Sequence, residues 1–492
     1  MENARFEDLM GRVGRGIDAF LTEPREDAVR GRAAWESLAD LPVPDEGVGI
    51  DALVDELVDV VVPHGTRISD PGFWGFITTG PSTAPVLAAA AASVPSPQRY
   101  LLTAFNRIEE RSLDMLASLV GLGEHMKGVY SSGGSVANLV ALGAARQHAF
   151  ERAGIDPAAD GLGGVRPALY ASTEVHHTVQ RSAGVLGLGR SCVRAVPTDR
   201  AQRADPAAMA RMLEQDLRDG RLPVALVGTA GTTNTGAIDP LRAIGELARE
   251  HGVWFHVDGA YGLPGILDDR IRDRFDGLDL ADSVIVDPHK WLATQVGVAA
   301  TFVRDRALLY RAFTQEPAEY LEGSFLAPED AEVSMDSMGI PYADFGVELS
   351  SPPRGIQVWA VLREQGVRGV TERIRTDNDR AARVADLARR HPRLESLTEP
   401  ELSIACLRYR PDGIDPATDG ARLDDLNQAL LRRLVRETPY VPSATVVNGA
   451  YAIRPCFINT RTTDDMVDDF VATVARLGDE LAGDRVAAEA AR

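Results

Sequence analysis

Cysteine is scarce in this chain of 492 residues: only Cys192, Cys406 and Cys456 occur, and no two of them share a metal-ligand spacing. A disulfide framework and a zinc site therefore have little to build on. Long apolar runs are also missing. The longest, Ala84–Val94, contains Pro85 and is too short to span a bilayer. Positive charge is in deficit, with a net charge of −20, which opposes binding to nucleic acid or to an anionic membrane and favours a small-molecule partner. The first residues mix Glu2, Arg5, Glu7 and Asp8 without an apolar core, so no secretory signal is expected and a cytoplasmic location is the simplest expectation.

What the chain does have is a set of short apolar runs alternating with helical patterns, which predicts an α/β fold with a large core. The stretch Val253 to Leu292 organises the rest. Val253–Val257 and Ser283–Val286 read as buried parallel strands, each followed by an aspartate, Asp258 and Asp287, and Lys290 follows the second. In open α/β sheets the ligand crevice lies beyond the carboxyl ends of the strands, so Asp258 and Lys290 should converge there. An amine and a carboxylate in one crevice suit pyridoxal phosphate. The lysine can form a Schiff base with the cofactor aldehyde, and the aspartate can keep the pyridine nitrogen protonated. A structural ion pair at the sheet edge would use the same two residue types.

Upstream, GVYSSGGSVANLVALGAAR, Gly128–Arg146, places a turn of small residues before a long helical run. Helix-start N–H groups bind phosphate, glycine permits close approach and a hydroxyl adds a donor, so Gly133, Gly134 and Ser135 form a candidate cradle. The same pattern also serves as an ordinary N-cap.

Taken together, HVDGAYG (256–262), DPHKWL (287–292) and this glycine turn resemble the pyridoxal-phosphate-dependent decarboxylases of the aromatic-amino-acid and glutamate type, group II of fold type I. The resemblance spans roughly Pro71 to Thr463. It implies an aspartate-aminotransferase-like fold: a mostly parallel central sheet in a large domain, about 79–363, and a smaller C-terminal α/β domain, 364–492. An N-terminal helical segment, 1–78, would pack on the partner subunit of a homodimer with active sites at the interface.

Further roles follow from the resemblance residue by residue. His176, in STEVHHTV, matches the histidine that stacks on the pyridine ring, and Ala260 the small residue on the opposite face. Thr233 matches a threonine near the ring, His289 a residue near the phosphate, and Lys290 the Schiff-base lysine. Gly259 stands where relatives commonly have alanine. Phe73, Trp74 and Phe76, in DPGFWGFITTG, match a segment of the substrate pocket, although ordinary aromatic packing would look the same. Arg454 matches an arginine that reaches the substrate carboxylate, where its forked donors fit, or else makes a structural contact. A catalytic loop tyrosine that protonates the α-carbon falls at Tyr342, or at Tyr320, because Ser350–Arg354 departs from the family pattern.

The implied activity is decarboxylation of an L-amino acid to an amine and carbon dioxide, with aromatic side chains slightly favoured. Oxidative deamination to an aldehyde, or transamination, would use the same scaffold. A catalytically silent paralogue should have lost Lys290 or Asp258, and both are present.

Overall fold

The computed structural model describes residues 5–23, 35–96, 104–314, 340 and 342–490. The chain divides into two compact units, Met1–Phe73 and Trp74–Arg492.

In the first unit, helix Phe6–Thr22 buries none of its residues, and Phe6, Met10 and Ile17 on it are exposed. Arg12 bridges from this helix to Asp51 (2.8 Å) and to Asp55, on the helical turn Ile50–Asp55. Leu53 and Leu57 are exposed as well. Apolar residues at helical spacing left exposed mark a face that the described residues do not cover.

The second unit is built on a seven-stranded sheet. Its strands are β1 (Lys127–Ser131), β2 (Pro167–Ser172), β3 (Val193–Val196), β4 (Leu222–Thr229), β5 (Trp254–Asp258), β6 (Ser283–Val286) and β7 (Ala299–Val303). The order across the sheet is β1-β7-β6-β5-β4-β2-β3. All pairs from β6 to β3 are parallel, and β7 runs antiparallel to both of its neighbours. Strands buried on both faces need apolar side chains at every position, which is why VALV and SVIV carry no alternation. Register places Asp258 opposite both Thr229 and Ile285, so the ends of β4, β5 and β6 lie side by side.

Beyond the sheet, the helical run Gly355–Arg390 carries one non-helical residue, Gly366, with φ of +63°. It leads to an antiparallel set, β8 (Leu394–Ser396), β9 (Leu407–Tyr409), β10 (Val441–Val447) and β11 (Ala450–Arg454), in the order β10-β11-β9-β8. Helices Gly420–Glu437 and Asp464–Ala490 accompany these strands. Trp74 is fully buried in this part of the core. It stacks on Tyr440 at 5.1 Å, meets Phe457 and Phe470, and donates its indole N–H to Thr462 Oγ1 (2.9 Å).

Trp74 is thus a packing residue of the second core and not a wall of a substrate pocket, contrary to the expectation from its motif. Its neighbour Phe73 is buried too, whereas Phe76 is 69% exposed with φ of +56°. The extended pair Phe73–Trp74 ends before Phe76, whose left-handed backbone turns its side chain out to solvent.

Candidate active site

At the carboxyl ends of the parallel strands lies a cavity of about 220 Å³. Gly134, Ser135, Asn138, His176, Thr178, Thr229, Thr233, Asp258, Ala260, Asp287, His289 and Lys290 border it, with Gly231 and Tyr261. Most of the residues singled out in the sequence therefore meet in one place. They come from five segments, because the sheet brings the ends of β4, β5 and β6 beside the start of the helix after β1.

That helix, Gly134–Arg152, follows directly on β1. Gly133 is its N-cap, and the N–H groups of Gly134 and Ser135 fall in the first turn, where a helix has no internal acceptors for its donors. A Cβ on Gly134 would stand 2.5 Å from Asp287 Oδ2, so only glycine lets the helix start approach the lysine turn this closely. The residues fit a phosphate: a helix start with free donors, the Ser135 hydroxyl, and His289 at the rim.

Lys290 Nζ lies 3.0 Å from Asp287 Oδ2, and the turn is closed by the Lys290 N–H donating to the Asp287 carbonyl (2.9 Å). His289 donates from Nδ1 to the Val298 carbonyl (2.7 Å), which leaves Nε2 facing Asp287 at 3.8 Å. On the neighbouring strand, Asp258 is buried. Its Oδ1 accepts from the Ala260 N–H (3.1 Å) and its Oδ2 from the Asn138 side-chain amide (3.1 Å). Each oxygen keeps a lone pair for a further donor, as a pyridinium nitrogen requires.

His176 lies at 4.2 Å ring-to-ring from His177, which does not border the cavity. Burial pushes the His176 imidazole below its ordinary value, with Asp258 acting in the opposite sense, so the ring enters the site neutral near pH 7. Gly259 has a local reason: a Cβ there would meet Leu263 Cβ at 2.6 Å and the Ile285 carbonyl oxygen at 2.9 Å.

Tyr342 and Arg454, like Phe73, Trp74 and Phe76, do not border this cavity. Tyr342 is fully buried in a short turn, Tyr342–Phe345, with its hydroxyl donating to Glu110 and Arg306 over its ring. Burial and the Glu110 carboxylate push its hydroxyl well above the usual range, and it does not border the cavity. It is a structural tyrosine and not the loop tyrosine, a correction that follows from its burial; Tyr320 lies outside the described residues. Arg454 is also buried. Its guanidinium donates to the Asn234 carbonyl (2.9 Å), the Phe76 carbonyl (2.8 Å), Ser443 Oγ (3.1 Å) and the Thr233 carbonyl. In this structure it braces the loop that carries Thr233, and its fork is spent on the chain's own oxygens.

Asn138, Thr178 and Asp287 border the cavity although the sequence did not single them out as site residues. Asn138 had a legible signal: it follows Gly134 by four positions, one helical turn, and so shares its face.

The fold and this site define a pyridoxal-phosphate enzyme of fold type I. Residues 34–410 match the family model described as pyridoxal-dependent decarboxylase conserved domain, and the chain belongs to that family. Its cofactor is pyridoxal 5′-phosphate. An aromatic-L-amino-acid decarboxylase of Bacillus atrophaeus is 28% identical, covering 89% of this chain and 88% of that protein. A 4-hydroxyphenylacetaldehyde synthase of Rhodiola rosea is 25% identical, covering 86% and 84%. The crystal structure of an Oryza sativa TDC with PLP and tryptamine superposes with a TM-score of 0.85 at 25% identity, covering 98% of this chain and 99% of that one.

Proposed function

We propose that the protein decarboxylates an L-amino acid, preferentially an aromatic one, to the corresponding amine and carbon dioxide. The observation that carries this reading is the convergence of Lys290 and Asp258, from the ends of neighbouring strands, on the cavity that also holds the Gly134–Ser135 helix start. When bound, pyridoxal phosphate supplies an aldehyde for an amine and a ring that withdraws electrons from the α-carbon.

The chain's own groups do the rest. Lys290 would hold the cofactor through its amine at the aldehyde carbon. Gly134, Ser135 and His289 hold the phosphate. Asp258 would keep a proton on the pyridine nitrogen, which sustains the ring's electron-withdrawing character. His176 and Ala260 bound the two ring faces. His176, which borders the cavity, is the group we assign to return a proton to the α-carbon.

The aromatic preference rests on what the relatives are named for and on Phe76, exposed beside the Arg454-braced loop; Trp74 no longer contributes to it. A homodimer, with the apolar face of helix Phe6–Thr22 covered by a second copy, and a cytoplasmic location complete the proposal.

The test is to follow the cofactor's absorbance and all products with a panel of L-amino acids. Amine and carbon dioxide in equal amounts from an aromatic substrate is the expected result. Aldehyde with ammonia and peroxide would replace decarboxylation by the oxidative reaction. Loss of the lysine-bound absorbance in Lys290→Ala is required by either.

A further inference from the structure

A hydrogen-bonded chain runs behind the cavity and joins seven side chains, from two strands, two helices and the segment that leads into the second helix. Trp254 Nε1 lies 2.8 Å from Ser283 Oγ, and Ser283 Oγ lies 2.9 Å from His256 Nδ1. His256 Nε2 lies 3.0 Å from Asn138 Oδ1. The Asn138 amide nitrogen lies 3.1 Å from Asp258 Oδ2 and 3.2 Å from Thr178 Oγ1. Finally, Thr178 Oγ1 lies 2.8 Å from His176 Nδ1. Trp254, Ser283, His256, Asn138 and Thr178 are all buried.

The carboxylate end sets the direction, because Asn138 must turn its amide nitrogen to Asp258 and therefore its oxygen to His256. An indole nitrogen can only donate and an ionised carboxylate can only accept. The Trp254 N–H uses Ser283 Oγ as its acceptor, so the Ser283 proton is available to His256 Nδ1. With Nδ1 accepting, the neutral ring carries its proton on Nε2 and donates it to Asn138 Oδ1. Complete burial keeps His256 neutral, lowering it from 6.5 to about 4. Both Asn138 amide hydrogens then go outward, one to Asp258 and one to Thr178. The Thr178 hydroxyl proton is left for His176 Nδ1, to which the Thr178 backbone N–H also points at 3.4 Å. His176 must therefore carry its own proton on Nε2.

We infer that Asn138 is a positioning residue that couples this chain to two outputs at once: the carboxylate of Asp258 and the tautomer of His176. The donors on Asp258, from Asn138 and the Ala260 N–H, are both neutral. They orient the carboxylate without neutralising it, so its charge stays available to a pyridinium nitrogen. A lysine or arginine at 138 would hold Asp258 as firmly and cancel that charge. The second output presents His176 to the cavity as a neutral Nε2–H donor. What these outputs do rests on the decarboxylase reading above; the proton arrangement itself does not.

The experiment uses the full-length protein with its nine histidines labelled in the ring nitrogens, with and without pyridoxal phosphate. The signals of His176 and His256, assigned by single substitutions, are expected to show the proton on Nε2 in both rings. Thr178→Val should change the His176 signal and leave the His256 signal as it is in the native protein. Asn138→Ala should change both rings and weaken pyridoxal phosphate binding by about 10-fold to 100-fold, the loss of one hydrogen bond to a charged group.

An Nδ1–H tautomer at either ring in the native protein overturns the inference. So does an Asn138→Ala protein with an unaltered His176 signal. If Asn138→Ala does not fold, the native tautomers and Thr178→Val still decide. Failure of the native protein to bind pyridoxal phosphate would sink the decarboxylase reading, and the ring tautomers would separately retain or remove the proton chain.

Discussion

The indole N–H of Trp291 donates to Asp377 Oδ2 at 2.9 Å, so the residue next to Lys290 is tied to the long helix that leads into the antiparallel sheet. Arg373 adds a bond to the Trp291 carbonyl, and Arg380 lies 3.0 Å from Asp377 Oδ1. The lysine turn is thereby clamped from the far side of the chain. Clamping of this kind holds a reacting group in one geometry and reduces the ordering needed at the moment of reaction.

Asp377 is buried, and burial raises it from 3.8 to about 7 against the opposing pull of Trp291, Arg373 and Arg380. A carboxyl raised in the folded state contributes stability that is complete below about 3.8 and is lost as pH rises through about 7. Asp377→Asn removes that dependence. Its stability relative to the native protein should therefore climb between pH 4 and 8, by up to about 4 kcal/mol for a shift of this size. Denaturant unfolding at several pH values measures the difference, and parallel curves would show that Asp377 does not titrate in this window.

Two glycines should respond differently to a methyl group. In Gly134→Ala the new Cβ meets Asp287 Oδ2, the oxygen that holds Lys290. Cofactor affinity should drop at least about tenfold, the equivalent of a modest overpacking penalty felt in the site. In Gly259→Ala the clash is with Leu263 and the Ile285 carbonyl, and the cost should appear as about 1–3 kcal/mol of global stability. Cofactor titration and unfolding of both variants separate the two effects.

Trp74→Ala should act on folding and not on substrate choice. Removing a fully buried indole that stacks on Tyr440 and bonds to Thr462 should cost about 3–5 kcal/mol. A variant of normal stability with an altered amino-acid preference would return Trp74 to the substrate pocket.

Tyr342→Phe removes only the hydroxyl that donates to Glu110. Stability should fall by about 1.5–3 kcal/mol, the range for a hydrogen bond to a charged group, and the amine should remain the product. Aldehyde formation by this variant would show that Tyr342 reaches the chemistry after all.

Where chemistry is local in the chain, the sequence was enough. A strand that ends in Asp258, a strand followed by Lys290, and a glycine turn that opens a helix each declare their geometry within a few residues, because a strand delivers its last side chain to the sheet end and a helix start exposes its donors. Convergence of these pieces then follows from parallel pairing.

Partnerships between distant residues were decided by tertiary structure alone. Trp74 faces the second core because Tyr440, Phe457 and Phe470 fold around it. Arg454 meets the carbonyls of Phe76, Thr233 and Asn234, which lie hundreds of residues earlier in the chain. Tyr342 finds Glu110, and Asn138 finds His256, across separations that no motif spans. A buried polar group must find a partner, but residue type alone does not say which one; only packing brings donor and acceptor within reach.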